Sequence, residues 1–174
     1  MTDTPKLDYP ALIDKLNALD SDQDYALTKN QFLTLLVEMN ISNDENYGEI
    51  IFNGITENGT TAHFTNIKTF YDSSIQQPLK NNKTMATILF RGVDTDKDGY
   101  INNEQFQTIA DYFNEKKIQE EREDMFKSIQ NENGLASFRD VSYTLFGTFF
   151  SKDFNPHTAK ITSHSPHSSC CLML

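Results

Sequence analysis

The stretch DTDKDGYINNEQF, residues 94–106, places Asp94, Asp96 and Asp98 at alternate positions immediately before Gly99. Three carboxylates this close repel one another by roughly 1 kcal/mol per pair even in water, so an ordinary solvated turn gains nothing from them. A hard, oxygen-preferring cation lying among them turns that repulsion into a ligand set. The glycine fits the same reading, because a sharp turn around an ion calls for a residue that accepts positive φ.

The stretch has an ungapped counterpart 74 residues upstream, DSDQDYALTKNQF at residues 20–32. Asp20, Asp22 and Asp24 match the three acids, Leu27 matches Ile101, Gln31 matches Gln105, and Phe32 matches Phe106. The same shift of 74 aligns a quieter pair of segments: Ile51, Phe52, Ile55, Ala62, Phe64, Asn66 and Ile67 fall on Met125, Phe126, Ile129, Ala136, Phe138, Asp140 and Val141. The chain therefore reads as a duplicated two-part unit, and a repeat of this kind constrains the fold more than any single motif.

Helical patterning flanks each acidic loop. Leu12, Ile13, Leu16 and Leu19 precede Asp20, with Pro10 where a first helical turn tolerates it, and Ile88, Leu89, Phe90 and Val93 precede Asp94. Phe32, Leu35, Leu36 and Met39 follow the first loop; Phe106, Ile109, Ala110 and Phe113 follow the second, each set forming one apolar helix face. Helix, loop, helix is thus expected four times, with the second and fourth loops degenerate.

On these residues the chain resembles the EF-hand superfamily in a calmodulin-like arrangement, over roughly residues 9–150. The resemblance implies an all-α fold of two lobes, each a pair of helix-loop-helix hands joined by a short two-stranded loop pairing. It divides the chain into a pair at 1–74 (loops 20–31 and about 55–66), a linker at 75–82 around Pro78, a pair at 83–150 (loops 94–105 and about 129–140), and a disordered tail at 151–174. Ala62 and Ala136 are expected to pair with Leu27 and Ile101.

The family loop supplies oxygens from positions 1, 3 and 5, a carbonyl at 7, a water at 9 and a bidentate glutamate at 12. Carried onto this sequence, the metal ligands become Asp94, Asp96, Asp98, the Tyr100 carbonyl and Gln105 in one loop. In the other they are Asp20, Asp22, Asp24, the Ala26 carbonyl and Gln31. One or two Ca²⁺ ions are implied, and the shortened ligand set also suits Mg²⁺. Both loops depart from the pattern at position 12, where glutamine offers one neutral oxygen in place of two charged ones, a loss of about 2 kcal/mol or roughly thirtyfold in affinity. Tyr25 stands where glycine belongs, which costs roughly 1–2 kcal/mol more in the first loop. In the even loops position 1 is Ile55 or Ile129, so ENG at 57–59 and NENG at 131–134 read as turns rather than cages.

After Phe150 the segment SKDFNPHTAKITSHSPHSSCCLML has no apolar period and reads as a tether. His157, His164 and His167 in it are expected to be exposed bystanders, and His63 a packing or surface residue. Cys171-Leu172-Met173-Leu174 fits the prenylation pattern with a geranylgeranyl-type terminal leucine, and Cys170 beside it suits a palmitoyl chain. Two lipids are needed for a stable anchor, since one gives marginal binding and no polybasic run assists.

Composition agrees with this reading. The 174 residues hold thirteen phenylalanines, no tryptophan and a net charge of −10; the last 24 residues carry +1, so the first 150 carry −11. Phosphate backbones repel such a surface, so nucleic acid is not the expected partner. The start resembles neither a signal peptide nor a myristoylation site, no apolar run reaches membrane-spanning length, and the two cysteines adjoin, all of which point to a reducing, cytoplasmic setting at the cytosolic face of a membrane. No catalytic motif is present, so no enzymatic activity and no small-molecule substrate are expected. The leading expectation is a membrane-tethered calcium sensor whose apolar groove opens to a partner helix on ion binding. A constitutive scaffold with little calcium response and a calcium buffer are the alternatives, the first favoured by the two glutamines.

Overall fold

A computed structural model describes residues 8–57, 59–74, 82–113 and 118–162. Among them the chain is mostly helical, with eight α-helices and two small antiparallel two-stranded sheets. In chain order these are α1 (Tyr9–Leu19), β1 (Ala26–Thr28), α2 (Lys29–Glu38), α3 (Glu45–Ile55), β2 (Thr61–His63) and α4 (Phe64–Ser74). The second half repeats the order as α5 (Lys83–Val93), β3 (Tyr100–Ile101), α6 (Asn103–Phe113), α7 (Gln119–Ile129), β4 (Ala136–Ser137) and α8 (Phe138–Phe146). The proposed linker falls almost wholly outside the described residues, as do Cys170, Cys171, His164 and His167.

Side chains set the helix ends. Asp8, Asp44 and Asn82 each accept a hydrogen bond from the backbone N–H three residues on, capping α1, α3 and α5. Gly147 ends α8 in the left-handed conformation at φ 63°, where its N–H reaches the Tyr143 carbonyl. The strands are too short to stand alone, but each pairs across its half: Leu27 faces Ala62 and Ile101 faces Ala136, the partners expected from the repeat.

The apolar faces of the helices bury one continuous core that draws on both halves, from Leu12 and Phe32 through Phe52 and Phe90 to Phe106 and Phe146. The halves meet where α3 crosses α5, and two glycines make that crossing close. A Cβ on Gly54 would lie 2.0 Å from the Ile88 carbonyl oxygen, and one on Gly92 would lie 2.1 Å from that of Ile50. Backbone therefore packs on backbone there, which no larger residue permits.

The segment after α8 departs from its expected disorder over its first dozen residues. Phe150 and Phe154 pack against Phe138, with ring centroids 4.6 and 5.5 Å away, and Pro156 is buried. Arg91 of α5 donates to the carbonyls of Pro156 and Ala159, and the Thr84 hydroxyl donates to the Thr162 carbonyl at 2.7 Å. Composition misleads here because the segment is polar on average. Its few aromatic residues nonetheless find an apolar wall, and α5 supplies donors for its otherwise unpaired carbonyls.

Candidate metal centre

Each acidic loop begins as the last turn of a helix. The Asp94 N–H closes α5 onto the Phe90 carbonyl at 2.9 Å, as the Asp20 N–H closes α1 onto Leu16 at 3.0 Å. Both loops then turn through two left-handed residues: Gln23 and Tyr25 at φ 59° and 61°, Lys97 and Gly99 at 61° and 84°. Alternate carboxylates are thereby turned inward. One ligand oxygen each from Asp94, Asp96 and Asp98 lie within 4.8 Å of one another, and the same holds for Asp20, Asp22 and Asp24.

Backbone amides hold the acids in place. Asp98 accepts from the Tyr100 N–H at 2.7 Å, and Asp24 from the Ala26 N–H at 2.9 Å. Ala26 and Tyr100 open β1 and β3. The carbonyls just before them, of Tyr25 and Gly99, are taken by the N–H groups of Phe64 and Phe138 at 2.9 and 3.1 Å.

Asp94 is the unusual member of the six. It is fully buried, and its Oδ2 lies 2.9 Å from the Gly99 N–H and 2.7 Å from His157 Nε2, while its Oδ1 has no hydrogen-bond partner among the described residues. An orphaned, buried carboxylate oxygen costs of the order of 1–3 kcal/mol, and a cation among Asp94, Asp96 and Asp98 would satisfy it. Burial pushes the Asp94 carboxyl above its ordinary range; the His157 hydrogen bond pulls it back, Asp96 adds to the rise, and the Gly99 N–H opposes it. Asp20 has no such orphan: its Oδ1 and Oδ2 accept from the N–H groups of Asp24 and Tyr25 at 3.3 and 3.0 Å.

The position-12 glutamines make a different use of their amides. Gln105 Nε2 donates to the Val93 carbonyl at 2.6 Å while its Oε1 accepts from the Asn102 N–H at 2.9 Å. Gln31 repeats the clasp, donating to Leu19 at 2.6 Å and accepting from the Thr28 N–H at 2.8 Å. A carboxylate has no hydrogen to give those carbonyls, so the amide closes each loop without an ion. In this arrangement the side-chain amides of Gln31 and Gln105 are engaged with backbone groups at the two ends of their loops.

The even loops are closed by their own side chains. Asn66 Nδ2 donates to the Ile55 carbonyl at 2.9 Å, and Asn131 Oδ1 accepts from the N–H groups of Asn133 and Leu135 at 2.9 and 3.1 Å. Among the described residues the clusters of three ligand-bearing side chains are the two aspartate triads alone. His63 is an exposed residue of β2. His157, expected as an exposed bystander, is instead only 12% exposed and seated on Asp94. Its signal in the sequence was the Asn155-Pro156 pair: Asn155 Oδ1 accepts the His157 N–H at 2.8 Å and turns the chain toward the loop.

No family model matches this chain, and no curated protein matches it.

Proposed function

We propose that the chain is an EF-hand-type protein of paired helix-loop-helix lobes that binds a divalent cation, Ca²⁺ foremost and Mg²⁺ as a competitor, in the loop at residues 94–105. The observation that carries this is Asp94: a fully buried carboxylate with one unpartnered oxygen, beside Asp96 and Asp98. Those three aspartates would hold the ion, with the Tyr100 carbonyl and water completing an oxygen shell. A bound ion would neutralise the cluster, draw the exit helix α6 round and open the helix pair. This is the movement by which such loops expose an apolar face to a partner helix. The role is one of binding rather than catalysis. Attachment to the cytosolic face of a membrane through lipidated Cys171 and Cys170 belongs to the same proposal and rests on the sequence pattern alone.

The glutamine clasps favour a second reading, a constitutive scaffold in which loop closure no longer needs the ion. Calorimetric titration of Ca²⁺ and Mg²⁺ into the full chain separates the two. A sensor gives saturable heat with a Kd of the order of tens of micromolar, lost in Asp94→Ala. Heat that fails to saturate below about millimolar, or that survives the substitution unchanged, overturns the metal reading and leaves the scaffold.

A further inference from the structure

The C-terminal segment from Ser151 to Thr162 makes contacts at both ends of α5 and reaches the loop at residues 94–105. Its hold on the body is distributed. Phe154 stacks on Phe138 at one end, Arg91 binds the Pro156 and Ala159 carbonyls in the middle, and Thr84 binds the Thr162 carbonyl at the far end. Between these points His157 places Nε2 2.7 Å from Asp94 Oδ2. That oxygen belongs to the carboxylate at the first position of the proposed metal site. His157 is not among the side chains whose ligand atoms lie within 4.8 Å of one another there, so in this arrangement it engages Asp94 Oδ2 without joining the triad.

We propose that this segment is an internal strap that competes with a divalent cation for the Oδ2 oxygen of Asp94, so that docking of His157 lowers the loop's affinity for the ion and ion binding loosens the strap. The inference rests on the metal reading of that loop and goes beyond it by naming what the ion displaces. An ion entering the triad needs Asp94 as an anionic ligand facing inward, and the imidazole holds one of its oxygens toward the strap. Displacing His157 removes the contact at the centre of the strap and loosens its neighbours on either side. Conversely, any change that weakens the docked strap raises the apparent affinity for the ion, because Asp94 then has both oxygens to offer. Among the described residues no counterpart is found at the first loop, where both Asp20 oxygens are held by the loop's own backbone.

The test uses the full chain with Ca²⁺ as the probe, in wild type, His157→Ala and Phe154→Ala. The second substitution removes the ring stacked on Phe138 and loosens the strap from that end, leaving His157 and the three aspartates in place. Both variants are expected to bind Ca²⁺ about tenfold more tightly than wild type, the scale of one charge-assisted contact. In wild type, saturating Ca²⁺ is expected to speed hydrogen exchange at the amides of Phe154, His157 and Ala159, each of which is bonded within the docked strap. Binding by His157→Ala that is equal to or weaker than wild type overturns the competition and makes His157 a bystander or a ligand, with the metal site left standing. Unchanged exchange at those three amides in the Ca²⁺-saturated protein overturns it as well. Absence of saturable heat in all three proteins removes the metal site itself, a result distinct from the other two.

Discussion

Asp20 and Asp94 occupy the same place in two loops with the same backbone path, each ending a helix and each followed by two left-handed residues at matching positions. Their surroundings differ. Asp20 spends both oxygens on the N–H groups of Asp24 and Tyr25, while Asp94 keeps one N–H, from Gly99, turns the same oxygen to His157, and leaves the other oxygen bare inside the protein. A repeat thus preserved the geometry of a ligand cluster while separating its energetics. One copy is satisfied internally; the other keeps a buried carboxylate oxygen without a hydrogen-bond partner among the described residues.

The sharpest way to break this comparison is to neutralise each aspartate in turn. Asp94→Asn should weaken Ca²⁺ binding by a hundredfold or more, since it removes the buried anionic ligand. Asp20→Asn should leave the tightest site almost unchanged. Calorimetry on the two variants checks this, and equal losses would mean that the loops share the ion binding after all.

Position 12 gives the next effect. Gln105→Glu exchanges an amide that bonds the Val93 carbonyl for a carboxylate that cannot, so the metal-free protein should lose about 1–3 kcal/mol. With Ca²⁺ present the added charge should tighten binding roughly thirtyfold. Gln31→Glu should cost the metal-free protein a similar amount and yield a smaller gain, because its loop has no orphaned oxygen calling for an ion. Thermal melts with and without Ca²⁺ read both quantities. A Gln105→Glu protein that binds no more tightly would show that the clasp was not the obstacle.

Metal-free stability should distinguish the two aspartates by sign. The Asp94 carboxyl is held above its ordinary range, chiefly by burial, so the folded state binds its proton more tightly than the unfolded chain does. The ionised form therefore works against folding at neutral pH, and that penalty is relieved as the pH falls through the raised folded value toward the unfolded one. Asp94→Asn should accordingly stabilise the metal-free protein at pH 7, with an advantage over wild type that shrinks on acidification. Asp20→Asn, which gives up one of two acceptors for backbone N–H groups, should destabilise it by about 1 kcal/mol. Denaturant unfolding of the three proteins between pH 7 and pH 4 gives the comparison, and a stabilised Asp20→Asn would undo it.

The scaffold was legible because it depends on local regularities that a repeat doubles. Alternating acids, apolar positions three and four apart, and the shift of 74 were enough to place the helices and to pair Leu27 with Ala62 and Ile101 with Ala136. What the sequence concealed depends on contacts between distant segments. Gly54 and Gly92 carry no sign that they meet carbonyls of another helix, and the role of Arg91 depends on a segment 65 and 68 residues away. The glutamines were visible as departures from a ligand pattern, but their use as donors to Leu19 and Val93 appears only once the entering and exiting helices are side by side. His157 was hidden by averaging, since the Asn155-Pro156 pair marks a turn but not the buried partner to which the turn leads.

The smallest effect tests the last difference between the loops, the residue at the left-handed turn. Gly99 adopts φ 84° freely, and a Cβ there would meet nothing within 4 Å, so Gly99→Ala isolates backbone strain and should cost about 1–2 kcal/mol. Tyr25 pays that strain already at φ 61°, but its ring stands edge-on to Phe64 with centroids 6.0 Å apart. Tyr25→Gly relieves about 1–2 kcal/mol of strain and gives up about 0.5–1.5 kcal/mol of ring contact. It also loosens the unfolded chain by a further 0.5–1 kcal/mol or so. The terms nearly cancel, so the change in unfolding free energy should stay within about 1 kcal/mol of zero while Gly99→Ala falls clearly below it. A Tyr25→Gly protein stabilised by more than about 2 kcal/mol would mean that the ring contributes nothing and that the first loop was held back by strain alone.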